Sequence, residues 1–130
     1  MGWLDTIELK PFVPALNFER SRRFYLDMGF SCDWHDDKLA SFRHGNTAFL
    51  LQNYYLAIVA QNFMLHLLVE NVDQWWQQLD DARITDIYGV RQSRIELRPW
   101  GMRDFTLTDP SGVLWRIAQH AGAGTSPGPG

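Results

Sequence analysis

Residues 17–30 read NFERSRRFYLDMGF, and residues 71–82 read NVDQWWQQLDDA. In each stretch an asparagine precedes an apolar residue and an acid, the pattern of a helix N-cap followed by an acidic first turn that complements the helix dipole. Gly29 supplies a stop for the first, and Gln74 holds the capping-box position of the second. Helices are therefore predicted over Phe18–Met28 and Val72–Ala82. Displacing one stretch by 54 positions lays Asn17 on Asn71, Phe18 on Val72, Glu19 on Asp73 and Tyr25 on Leu79. Cap, first turn and buried face coincide, the mark of a repeated unit.

Around the helices, turn signals such as Asp36-Asp37, His44-Gly45-Asn46 and Asp109-Pro110-Ser111-Gly112 cut the chain into short strand-like segments. The predicted strands are 9–16, 31–35, 39–42, 47–52, 63–69, 84–90, 104–108 and 113–118, so the order is βαβββ twice. The expected class is α+β. One such module cannot close around a ligand; two set edge to edge make a cup-shaped mixed sheet with the helices outside. The expected layout is a single domain over residues 1–120: a first module at about 7–52, a linker at 53–62 and a second module at about 63–119. Residues 121–130, AGAGTSPGPG, are too poor in apolar side chains to offset their ordering entropy and are expected to be a flexible tail.

The 130 residues have room for one domain, and 45% hydrophobic with 21% charged residues is the mix of a soluble globule. Twelve Lys plus Arg against fifteen Asp plus Glu give a net charge of −3, without the basic surplus a nucleic-acid binder needs. Arg20, Arg22 and Arg23 read as the solvated face of a short helix. No apolar run approaches a membrane span, the longest being residues 54–60. The start of the chain lacks the layout of a secretory signal, and Cys32, the single cysteine, has no partner for a disulfide. A cytoplasmic protein is expected, contacting neither nucleic acid nor membrane. The aromatics are many, with 6 Trp, 4 Tyr and 8 Phe, more than a core of this size usually needs, and some of them are expected to line a site for a flat or apolar ligand.

The stretch from Asn17 to Phe30 resembles the D-L-x-R-S-x-x-F-Y-x-x-L-G-F pattern of the vicinal oxygen chelate superfamily, which includes glyoxalase I, extradiol dioxygenases, fosfomycin-resistance transferases and bleomycin-resistance proteins. Trp100-Gly101-x-Arg103-Asp104-Phe105 and Asp109-Pro110-Ser111-Gly112-Val113-Leu114-Trp115-Arg116-Ile117 are similar to the W-G-x-R-x-F and D-P-x-G-x-x-W-x-I of its bleomycin-resistance-like branch. In metal-dependent members, the resemblance implies, four inward side chains hold a divalent ion, one from the first and one from the last strand of each module. Carried onto this chain, the positions are Lys10, Gln52, Met64 and Arg116. An ammonium and a guanidinium repel a divalent cation, and only Gln52 looks like a ligand. His66 shares the strand face of Met64 but adds one imidazole at most, while His35, His44 and His120 read as turn or terminus residues. There is no Gly-rich phosphate loop, G-x-S-x-G elbow, H-E-x-x-H or paired cysteine, so no catalytic residue is assigned.

The expectation is a metal-free, cofactor-free binding protein of the bleomycin-resistance type, an antibiotic-resistance class that sequesters its ligand without changing a bond. The predicted ligand-binding residues are Lys10, Phe12, Trp34, Gln52, Met64, His66, Trp100 and Arg116. The resemblance also implies a homodimer with each cup shared between chains; the apolar run at 54–60 and the adjacent Trp75 and Trp76, which cannot both centre one buried stripe, agree with a partner surface. The rivals are a metal-dependent lyase, isomerase or dioxygenase on the same fold, and a partner module whose cup is packed shut around Trp34, Phe42, Trp100 and Trp115. Lys10 and Arg116 make the cup neutral to positive, so an aromatic ligand with an anionic group is expected unless Glu8, Glu70 or Glu96 neutralises them from within.

Overall fold

The computed structural model describes residues 2–122; the tail expected to be flexible lies, from residue 123 onward, outside the described residues. After a short 3-10 turn at Gly2–Leu4 come β1 (Phe12–Pro14), α1 (Phe18–Met28), β2 (Ser31–His35), β3 (Leu39–His44) and β4 (Thr47–Gln52). The link to the second half carries a one-turn helix, α2 (Ala57–Ala60). Then follow β5 (Met64–Leu68), α3 (Val72–Asp81), α4 (Ile84–Tyr88), β6 (Glu96–Leu97), β7 (Met102–Thr108) and β8 (Leu114–His120). The strands form two four-stranded mixed sheets of the same topology, β1-β4-β3-β2 and β5-β8-β7-β6. In each, the first strand runs parallel to the last and the remaining pairs are antiparallel. Among the described residues no strand of one sheet pairs with a strand of the other. Among the described residues no helix is long and apolar enough to cross a membrane.

The repeated caps form as predicted. Asn17 Oδ1 accepts the Arg20 N–H at 3.0 Å, and Asn71 Oδ1 accepts the Gln74 N–H at 3.0 Å. Gly29 closes α1 with φ of +113°, a left-handed conformation that favours glycine, while a Cβ there would meet only the movable tip of the Gln78 side chain, Nε2, at 2.8 Å. Three expectations are corrected. Residues 84–90 were expected as a strand, but 84–88 are helical, with Ile84 and Tyr88 four apart and both buried. The missing strand is the two-residue β6. The first strand is three residues rather than 9–16: Pro11, which lacks an N–H, stands directly before it, and Glu8 further upstream is held by Arg43 of β3.

The modules are joined through side chains that the sequence motifs supply. Tyr25, fully buried on α1, donates to Asp109 Oδ2 at 2.5 Å and accepts from Trp115 Nε1 at 2.9 Å. Asp109 Oδ1 in turn accepts the N–H groups of Ser111 and Val113 at 2.8 and 2.9 Å, shaping the turn in which Gly112 takes φ of +95°. Ser111 Oγ reaches back to the Leu16 N–H at 2.9 Å and to Ser21 Oγ at 3.3 Å. The Trp115 ring sits among Tyr25, Phe30 and Phe49 with centroids 5.5–5.7 Å away. Burial pushes the Asp109 carboxyl up to about 6, against the hydrogen bonds that favour its ionised form. Burial, then the neighbouring Asp109 charge, also holds the Tyr25 hydroxyl well above its usual range.

Tyr25→Phe leaves a buried carboxylate oxygen and an indole N–H without partners, so we expect a loss of about 2–3 kcal/mol, read from urea unfolding. The pH dependence has a definite sign. Because the folded pKa of Asp109 exceeds its unfolded value, the folded state binds the proton more tightly, and that stabilisation is complete below about pH 4 and lost as pH rises through about 6. Asp109→Asn removes this titration. The stability gap between the native chain and this variant should therefore widen by about 2 kcal/mol between pH 7.5 and 4.5; a gap that stays constant contradicts the assignment.

Candidate functional site

Strand alternation sorts each sheet into a face packed on helices and aromatic core and an open face. On β8, Trp115 and Ile117 enter the core, while Arg116 between them lies on the open face opposite His66 of β5 and Thr106 of β7. Arg116 Nη1 donates to Asp104 Oδ1 at 3.0 Å, and Arg98 Nε donates to the same oxygen at 2.9 Å. The Asp104 side chain is 1% exposed, and its Oδ2 is buried without a partner. Arg98 and Arg116 are each about a quarter exposed. Arg98 Nη1 also reaches the exposed Glu96 at 3.4 Å.

The open face of the first sheet has a related arrangement. Lys10 Nζ lies 3.1 Å from Glu8 Oε2 and 3.4 Å from Ser41 Oγ, and Arg43 Nη2 lies 2.5 Å from the other oxygen of Glu8. These two cations hold the Glu8 carboxyl below its usual range, the hydrogen bond from Arg43 contributing most. Phe12 stands opposite Leu50 and Trp34 opposite Ser41, both about half exposed. Gln52 stands opposite Pro14. Since Phe12 and His66 are as far apart as the two N-caps, the first-module counterpart of Arg116 is Leu50, opposite Phe12, and Gln52 lies two residues beyond it.

The eight predicted residues thus divide: Lys10, Phe12, Trp34 and Gln52 on the first sheet, Met64, His66 and Arg116 on the second, and Trp100 exposed in the turn before β7. A cavity of about 560 Å³ opens between the modules, floored by Phe30, Phe49 and Trp115 and bounded by Leu65, Leu67 and Arg43; of the eight, only His66 lines it. Of the anticipated counter-charges, Glu8 does neutralise Lys10, whereas Arg116 is met by Asp104 and not by Glu70 or Glu96. Sequence reasoning missed Asp104 and Arg98. The available signal was Asp104 standing next to the core residue Phe105 on β7, which places an acid on the open face.

The family model of the glyoxalase/bleomycin resistance protein/dioxygenase superfamily matches residues 11–117. The chain belongs to that superfamily. Its fold is similar to that of a bleomycin-binding protein complexed with bleomycin, at 23% identity and a TM-score of 0.75 over 88% of this chain and 99% of that one. A bleomycin-binding protein from Streptomyces verticillus, complexed with copper(II)-bleomycin, gives 24% identity and a TM-score of 0.73 over 92% and 98%. A lactoylglutathione lyase from Agrobacterium tumefaciens gives 13% and 0.67 over 93% and 99%. At such identities these likenesses speak for the fold alone. No curated protein sequence matches the chain.

The residues at the four positions that the resemblance gives to a metal do not fit a divalent ion. Lys10 and Arg116 are cations already seated on carboxylates, Met64 offers a neutral thioether, and the strand register gives the fourth position to Leu50 or Gln52. Among the described residues no three His, Cys, Asp or Glu side chains gather as a metal-binding group. Elemental analysis of protein purified without chelators should find less than one zinc, nickel, iron or manganese per chain; a stoichiometric metal would return the enzyme reading.

Proposed function

We propose that this protein is a metal-free small-molecule binder of the bleomycin-resistance type, one that sequesters an aromatic ligand and changes no bond in it. The observation that carries the reading is the donor set: at the positions the resemblance gives to metal ligands stand two ion-paired cations, Lys10 and Arg116, and the thioether of Met64. The similarity in fold to bleomycin-binding proteins supports it. Half-exposed Phe12 and Trp34 on one open face, and Trp100 beside the other, offer flat surfaces on which a ring stacks. The preferred ligand carries a carboxylate or other anionic group, held by Arg116. Across a panel of matched aromatic acids and amines, the acids should bind more tightly. Arg116→Ala should remove most of that preference, and ligand recovered after binding should have unchanged mass.

The working form is a homodimer in the cytoplasm. Trp3, Leu4, Ile7 and Leu9 are 72–100% exposed at one end of the chain, and Leu56, Ile58 and Val59 are exposed in the link between modules. Large apolar side chains exposed in such number are costly to leave in water. Trp75 and Trp76 do not contribute, since Trp75 packs on His44 with centroids 4.9 Å apart and Trp76 donates to the Ser93 carbonyl at 2.8 Å. Light scattering at micromolar concentration should give twice the 15.1 kDa chain mass, and the monomer mass would remove this part of the reading.

A further inference from the structure

Two guanidinium groups meeting on one carboxylate oxygen is an arrangement that needs an explanation. Arg98 and Arg116 both donate to Asp104 Oδ1, at 2.9 and 3.0 Å, so the two cations sit close enough to repel each other strongly. Asp104 supplies one negative charge between them and lies almost wholly out of water. The other acid nearby, Glu96, is 62% exposed and 3.4 Å from Arg98, where solvent weakens its effect. The buried part of the cluster therefore carries more positive than negative charge. Both guanidinium groups use Oδ1, and Oδ2 is the one buried side-chain polar atom without a partner among the described residues.

The cluster keeps a side open to solvent. Arg116 engages Asp104 through Nη1, and a quarter of its side chain remains open. Arg98 is set by a tight turn, with its N–H donating to the Met102 carbonyl at 2.7 Å and its own carbonyl accepting from Gly101 at 3.1 Å. That turn carries Trp100, 65% exposed and two residues along the chain from Arg98. His66 faces Arg116 across the β5–β8 pair and adds no negative charge.

We propose that Arg98 and Arg116 form a two-guanidinium seat for the oxyanion of an aromatic acid, whose ring lies on Trp100, with Asp104 as the positioning residue that gathers the two forks. A carboxylate or sulfonate matches a guanidinium fork with two parallel hydrogen bonds and relieves the repulsion between the cations. The proposal rests on the binding reading above and adds Arg98 and Asp104 to it.

The test uses the full chain and two probes of one shape, 2-naphthoate and the uncharged 2-naphthamide, with affinities from titration calorimetry and folding checked by circular dichroism. The native protein should favour the acid. Arg98→Gln should weaken naphthoate about tenfold and leave naphthamide within about twofold, while Arg98→Lys, which keeps the charge and loses the fork, should recover only part of the loss. Asp104→Asn keeps an acceptor for both arginines but removes their counter-charge, so naphthoate should bind several-fold more tightly and naphthamide as before. A purely structural cluster would move both probes together, and that result overturns the seat. Unchanged naphthoate affinity in Arg98→Gln overturns it while leaving the binding reading standing, and equal binding of both probes by native protein overturns it together with the preference for an anionic ligand. Failure of the native protein to bind either probe overturns both.

Discussion

The hydrogen-bond chain from Trp115 Nε1 through the Tyr25 hydroxyl to Asp109 sets how the two modules meet. Every member is buried, so none has water as an alternative partner, and losing one strands the next. The same chain accounts for the spacing of the motifs. In R-S-x-x-F-Y, Ser21 and Tyr25 are one turn apart on the inner face of α1, which lets them reach Ser111 and Asp109 of the opposite module together. In D-P-x-G-x-x-W, the aspartate folds its own turn and the tryptophan six residues later returns to the same tyrosine. The two motifs are the halves of one contact.

That contact also decides which way the open face points. Successive residues of a strand project to opposite sides, so anchoring Trp115 in the intermodule core sends Arg116 to the other side of the sheet. On β7 the same alternation drives Phe105 and Leu107 inward and brings Asp104 out beside Arg116. A charged group whose position depends on a packed tryptophan has little freedom to wander. Arg116 needs such restraint more than most side chains, because each ordered guanidinium gives up considerable rotamer freedom.

Features governed by local chemistry were legible in the sequence. The caps Asn17 and Asn71, the stop at Gly29 and the turn at Asp109–Gly112 follow from side chains acting on backbone within four residues. The segment 84–90 misled because Ile84 and Tyr88 satisfy two periods at once, spacing two repeated and spacing four. The left-handed Arg83, with φ of +58°, starts a new helix that no local signal announces. β6 escaped notice because two residues, Glu96 and Leu97, carry no alternation to detect. In the site, the inward position of Arg116 followed from a motif, whereas its pairing with Asp104 twelve residues away depends on the β7–β8 register, which the sequence does not display.

Both open faces solve the same electrostatic problem in the same way, though the chain as a whole carries a net charge of −3. On the first sheet Glu8 serves Lys10 and Arg43, with Asp33 further off at 3.6 Å from Arg43; on the second Asp104 serves Arg98 and Arg116, with Glu96 at 3.4 Å from Arg98. Each face thus has two cations on one central carboxylate and a more exposed acid beside them. What separates the faces is burial of the central acid: the Glu8 side chain is 24% exposed and that of Asp104 is 1%. Water and salt screen the first cluster, while the second works in a lower effective dielectric, where the same charges act more strongly. Of the two clusters, the one at Arg98 and Arg116 therefore attracts an approaching anion with less screening, although the acids outnumber the bases over the chain as a whole.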